Sequence, residues 1–153
     1  MDRIRLLREI IDQKTKAADH LLAVTYPVIK EPKLLILVIE NVFYALNASI
    51  DAILEYENLF KKEYETKFDE KYTMFKRKIV SKYDIKKETT EFIEKIKKII
   101  DEHKKTAVTF IKKDKLIITD ENYNLTKLSP DKCKKILHEA KKHIQILINT
   151  VKQ

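Results

Sequence analysis

Five side chains could do chemistry together: Glu40, Tyr44, Asn47, Asp51 and Glu55, with Asn58 following them. They advance by 4, 3, 4, 4 and 3 residues. That spacing puts them on one helical stripe less than about 90° wide. They interrupt "LLILVIENVFYALNASIDAIL", which is apolar almost everywhere else. Carboxylates, an amide and a phenol on one edge could line a polar cleft. A di-metal bundle site would add Asp/Glu-x-x-His pairs to such acids. None accompanies them, so no metal is expected. The acids also argue against a membrane span, since each costs about 2.5–3.5 kcal/mol at mid-bilayer. The stretch reads as a buried core helix with one polar edge.

The histidines are His20, His103, His138 and His143. No two of them stand at i, i+4, and none forms a zinc signature with Cys133, the one cysteine. His20 follows Asp19 in "KAADHLL". Together with Lys14 it offers a general acid/base and a charge for phosphate. The plainer reading is a polar pair at the boundary of an apolar patch. The chain has no glycine, which excludes a P-loop and a dinucleotide fingerprint, and no cofactor is expected.

A third group is cationic. Lys134, Lys135, His138, Lys141 and Lys142 fall on one side of the last helical stretch, with His143 at its margin. Lys112, Lys113 and Lys115 precede them. Lysines at such spacing can track a phosphate backbone. The net charge of +8 is uneven: −2 over residues 1–60 and +10 over residues 61–153. After Arg77 there is no arginine, the residue that forks onto bases and phosphates. The expected binding is electrostatic, with RNA or another polyanion as ligand. The plain alternative is a solvated lysine face.

These groups need elements to hold them. With 153 residues the chain is expected to form a single domain, residues 1–153. Ile4, Leu7, Ile11, Ala18, Leu21 and Leu22 share a face of a first helix, residues 2–26, which Asp2 can cap. Pro27 and Pro32 bracket a connector. The second helix, about 33–61, carries the polar stripe. A third, about 67–83, has an aromatic stripe of Phe68, Tyr72, Phe75, Ile79 and Tyr83, read as core. The second and third could run on as one, because Tyr56, Phe60 and Tyr64 continue the period. A fourth helix turns Phe92, Ile96, Ile99 and Ile100 inward. Then β-branched clusters split by "KKDK" and "DENYN" predict strands at 108–112, 115–119 and 125–128. Ser129 as cap and Pro130 at the first position open the last helix. Its apolar face is Cys133, Ile136, Leu137, Ala140, Ile144, Leu147, Ile148 and Val151. The fold expected is mainly α: about five helices in a bundle, with a small antiparallel β-hairpin between the fourth and fifth.

"KAADHLLAVTYPVIKEP" followed by "LLILVIENVFYALNASIDAILEYE" resembles the helical pair of HEPN-type bundles over about residues 14–60. The resemblance implies a small all-α domain, often dimeric. It is either a metal-independent ribonuclease or a non-catalytic partner. The family's catalytic arginine, followed four to six residues later by histidine, has no match here. Lys14 before His20 is the nearest imitation, so a non-catalytic member is implied. The lone cysteine fits a reducing cytoplasm, and the lysine-rich composition fits an AT-rich, archaeal-type genome. "MDRIRLLREIIDQK" breaks its apolar residues with charges at every turn and is not read as a signal peptide. The expected protein is a non-enzymatic cytoplasmic module that self-associates or binds a partner, with no membrane role. The alternatives are a HEPN-like ribonuclease or a structural subunit. The last would show an apolar patch on the outer face of the third helix.

Overall fold

The computed structural model describes residues 2–104, 108–112, 115–119 and 125–152, with side chains omitted at 108–110 and 112. Helix α1 (Asp2–His20) passes through a π turn (Leu21–Thr25) into α2 (Tyr26–Ile29), forming one rod. Ile4, Leu7, Ile11, Ala18 and Leu22 are buried along it, and Leu21 is half-buried. Pro27 lies inside this rod and not in a connector as its type suggested. A proline in a helix lacks the amide hydrogen and presses on the preceding turn. Here the turn before it is already widened, and the Tyr26 amide reaches back to the Leu21 carbonyl.

Helix α3 (Leu34–Tyr56) is the middle of the fold and packs against α1, α4 (Phe68–Phe75), α5 (Lys87–Lys104) and α6 (Pro130–Ile148). It is long and apolar enough to cross a membrane by length and composition. In this structure many of its apolar residues are covered, with Leu35, Ile39, Ala45, Leu46, Ile50, Ile53 and Leu54 fully buried, while Leu37 is exposed. One hydrophobic cluster runs from Ile4 through α3 to Val151.

Helices α3 and α4 are separate, so the continuous reading fails. The break is made by Asn58 at φ 59°. The Leu59 amide donates to the Leu54 carbonyl at 2.8 Å and the Asn58 amide to Glu55 at 3.1 Å. This is a Schellman closure with asparagine where glycine usually sits. Asn58 therefore lies past the helix and off the polar stripe. A 3-10 turn (Lys62–Glu65) follows, with Tyr64 buried, and α4 leads into a second π turn (Lys76–Val80). Within the aromatic stripe Phe75 and Ile79 are buried, while Phe68, Tyr72 and Tyr83 pack against the core.

The strands fall where the sequence placed them: β1 (Val108–Lys112), β2 (Lys115–Thr119) and β3 (Leu125–Leu128), antiparallel in the order β1-β2-β3. Leu116 and Ile118 join the main cluster with Leu128, while Ile117, one residue out of phase, is buried outside that cluster. The last helix starts as read: Ser129 Oγ accepts from the Lys132 amide at 3.1 Å. Its predicted apolar face is buried from Cys133 to Val151 except at Ile148, which is half-buried and packs against the core. The Arg8 guanidinium donates to the Val151 carbonyl at 2.8 Å, tying that end to α1.

With no glycine available, left-handed backbone falls on Lys30 (φ 56°), Asn58 and Asp84 (φ 51°). Lys30 closes α2 by donating its amide to the Tyr26 carbonyl at 2.7 Å. A side chain with a Cβ costs roughly 1–2 kcal/mol there, and asparagine and aspartate tolerate the region better. Lys30→Gly is therefore expected to raise the unfolding free energy by about 1 kcal/mol in urea titrations, and Lys30→Val to lower it. Equal stability of all three proteins would refute the strain at this turn.

Candidate functional site

The polar edge of α3 is divided by what the other helices bring to it. Lys71 of α4 reaches across to form an ion pair with Asp51, Nζ 2.7 Å from Oδ1, and donates a hydrogen bond to the Asn47 side-chain oxygen. Lys71 is 1% exposed, the most buried charged residue described. Its ammonium also stands 5.5 Å from the centre of the Phe68 ring. Phe68 itself packs on Phe43 at 5.2 Å and stacks on Tyr72 at 5.6 Å. Burial pushes the Asp51 carboxyl up, and the Lys71 ammonium pulls it back. Burial likewise pushes the Lys71 amine down, against the Asp51 charge. Each ion is tolerable there because the other is present.

One turn further on, Arg3 of α1 pairs with Glu55, Nε to Oε2 at 3.3 Å, while its guanidinium covers the Phe60 ring at 4.3 Å. In the other direction Tyr44 is exposed and has the Lys14 ammonium 5.3 Å from its ring centre. A groove of about 270 Å³ runs between α1 and α3 here, floored by Leu7, Ile10 and Ala48 and ending at Asn47 and Asp51. Glu40 is half-buried and apart from these pairs. Tyr44, Asn47 and Asp51 thus share this groove, Glu55 is taken by Arg3, and Glu40 stands apart. Among the described residues, no three His, Cys, Asp or Glu side chains are placed to hold a metal ion.

The structure does not bring His20 to Lys14. They lie on α1 six residues apart, roughly 9 Å along the axis and about 120° around it. His20 is exposed, with Nδ1 3.3 Å from the Thr25 hydroxyl. Cys133 is fully buried and burial pushes its thiol up to about 12, so it sits as a core residue.

On α6, Lys134, Lys135, His138, Lys141 and Lys142 are all exposed. Lys141 holds Asp19 of α1 at 2.8 Å. For the other three lysines no carboxylate partner is found among the described residues. Lys115 is exposed at the start of β2; Lys112 is described by its backbone only, and Lys113 lies outside the described residues. His143 leaves the basic margin and turns inward. Its Nδ1 lies 2.9 Å from the buried Thr89 hydroxyl and its ring stacks on Phe92 at 4.8 Å.

The outer face of α4 carries no large exposed hydrophobic residue among those described, against the patch a structural subunit would show there. Such residues gather on the first rod instead, as Leu6, Ile10, Val24, Val28 and Ile29, with Leu37 and Tyr44 on α3. Sequence reading missed Lys71. Its position was the available signal: three residues after Phe68 and four before Phe75, it shares the inward aromatic stripe of α4. No protein-family model matches the chain, and comparisons with curated proteins and with solved structures also return no match.

Removing one partner of a buried pair strands the other ion. Lys71→Ala should cost about 3–5 kcal/mol of stability. The double variant Asp51→Leu with Lys71→Met should lose less than half of that, and additive losses in a denaturation cycle would show that the pair is not coupled. His143 gives a pH test. Burial pushes its imidazole below the ordinary value, with Glu139 and Glu88 opposing and Lys142 adding to the shift. The fold thus favours the neutral ring. Its contribution is complete above about pH 6.5 and is lost as pH falls through the folded value. The urea midpoint should drop between about pH 7 and about pH 5, and the drop should shrink in His143→Gln; an unchanged profile in the variant would exclude this origin.

Proposed function

We propose that the protein is a non-enzymatic helical module that binds a polyanion, RNA being one, through the lysine face of α6. One observation carries the reading. Lys134, Lys135, His138, Lys141 and Lys142 all stand exposed on one helix, and only Lys141 is paired with an acid among the described residues. The face has no arginine and no Phe, Tyr or Trp. Binding by it is backbone-directed and indifferent to sequence. The separation of Lys14 from His20 supports a non-enzymatic role. So does the resemblance of residues 14–60 to HEPN-type bundles without their catalytic arginine–histidine pair.

Fluorescence anisotropy of a labelled single-stranded RNA at rising salt tests it. Four lysines should give a log–log salt slope of roughly −3. Replacing Lys134, Lys135 and Lys142 with glutamate should abolish binding and leave the circular dichroism spectrum unchanged. A salt-insensitive affinity, or binding undiminished in the triple variant, would remove α6 as the binding face.

A further inference from the structure

The lysine face does not end at α6. Between it and the distal end of the first rod lies a groove of about 370 Å³. Its floor is aliphatic: Ala23 and Pro27 from the first rod, Leu137 from α6. Its rim carries Lys134 and Lys141, with His138 and the Asp19 carboxylate beside them. Val24 and Val28, 51% and 80% exposed, carry the apolar surface past the mouth of the groove.

This composition discriminates between anions. A nucleic-acid strand bound by more than its phosphates places its bases on aromatic rings or guanidinium planes. The groove has no guanidinium and no Phe, Tyr or Trp, and its one ring is the His138 imidazole at the rim. A bare phosphate backbone gains nothing from an aliphatic floor. A ligand with aliphatic side chains flanked by carboxylates uses both parts: apolar burial on the floor and charge-assisted hydrogen bonds at the rim. The rim already holds one carboxylate. Asp19 accepts from Lys141 Nζ at 2.8 Å, and both side chains are about half exposed (46% and 45%). An exposed pair of this kind is weak, so an incoming carboxylate can exchange with it.

We infer that this groove is the docking site for an acidic amphipathic segment of a partner protein, with an aliphatic side chain over Ala23, Pro27 and Leu137 and carboxylates on Lys134 and Lys141. The inference rests on the reading of α6 as an anion-binding face and names its partner class. Asp19 is then an internal competitor for Lys141.

The test uses the full chain and three labelled probes in anisotropy: an acidic peptide with leucines at helical i, i+3, i+4 spacing, the same peptide with serine for leucine, and a single-stranded RNA of equal length. The leucine peptide should bind at least about tenfold more tightly than the serine peptide, and more tightly than the RNA. In Ala23→Gln, a change at an exposed floor position, the leucine advantage should disappear. In Asp19→Asn both peptides should tighten by about two- to fivefold. Equal binding of the two peptides, or weakening in Asp19→Asn, would overturn the groove while leaving the α6 reading in place. Tighter RNA binding would overturn the partner class. Failure of all three probes at low salt would overturn both readings.

Discussion

A helix that is apolar on nearly all sides must be covered on nearly all sides, and α3 sets that requirement for the whole chain. Its backbone is satisfied internally, but its side chains repel water over most of the circumference. The other helices are arranged to meet this need: α1 along one flank, α6 along another, and α4 and α5 closing the rest. The polar edge is the place where coverage becomes expensive, because a carboxylate cannot be sealed without a counter-charge. Lys71 and Arg3 supply it from α4 and α1. Hydrophobic contact is non-directional, and the ladder of Phe68, Tyr72 and Phe75 would pack in more than one register. The Lys71 ammonium meets Asp51 and Asn47 at once, a directional contact that the aromatic ladder does not supply.

The elements were legible in the sequence wherever one local rule decided them. Ser129, Pro130 and Asp131 give a capped start that needs no tertiary information. The 108–119 strands are announced by their β-branched clusters, and α5 by its period of isoleucines. Two features were not legible, for definite reasons. Pro27 reads as a breaker under a rule that assumes α geometry, and the π turn before it removes that assumption. The gap between α3 and α4 depends on one left-handed asparagine, whereas the apolar period runs on undisturbed through Phe60 and Tyr64. Periodicity reports which face is inward. It does not report whether the axis bends between one turn and the next.

The candidate site shows the same limit. The stripe from Glu40 to Glu55 was visible because its members share one helix. Its partners were not, since Lys71 and Arg3 come from 20 residues after Asp51 and 52 residues before Glu55. Spacing within an element carries no information on what another element delivers. The stripe was therefore read as one edge, without the Lys71 and Arg3 side chains that meet it at Asp51 and Glu55. The lysines of α6 needed no partner to be recognised, only exposure, and exposure follows from the opposite face being apolar.

Charge ties these observations together. The first 60 residues carry a net −2 and the remainder a net +10. The bundle folds the two portions onto each other: Asp51 meets Lys71, Glu57 meets Lys82, and Asp19 meets Lys141. Each pairing uses an acid of the earlier portion to neutralise a base of the later one. Part of the remaining positive charge stands on α6, where Lys134, Lys135 and Lys142 have no such partner among the described residues. A surface left cationic by internal pairing is the one from which an external anion gains most. In the docking we infer, its border with the aliphatic floor at Ala23, Pro27 and Leu137 is what selects among anions. The buried pair and the open lysine face are thus two consequences of the same uneven distribution of charge along the chain.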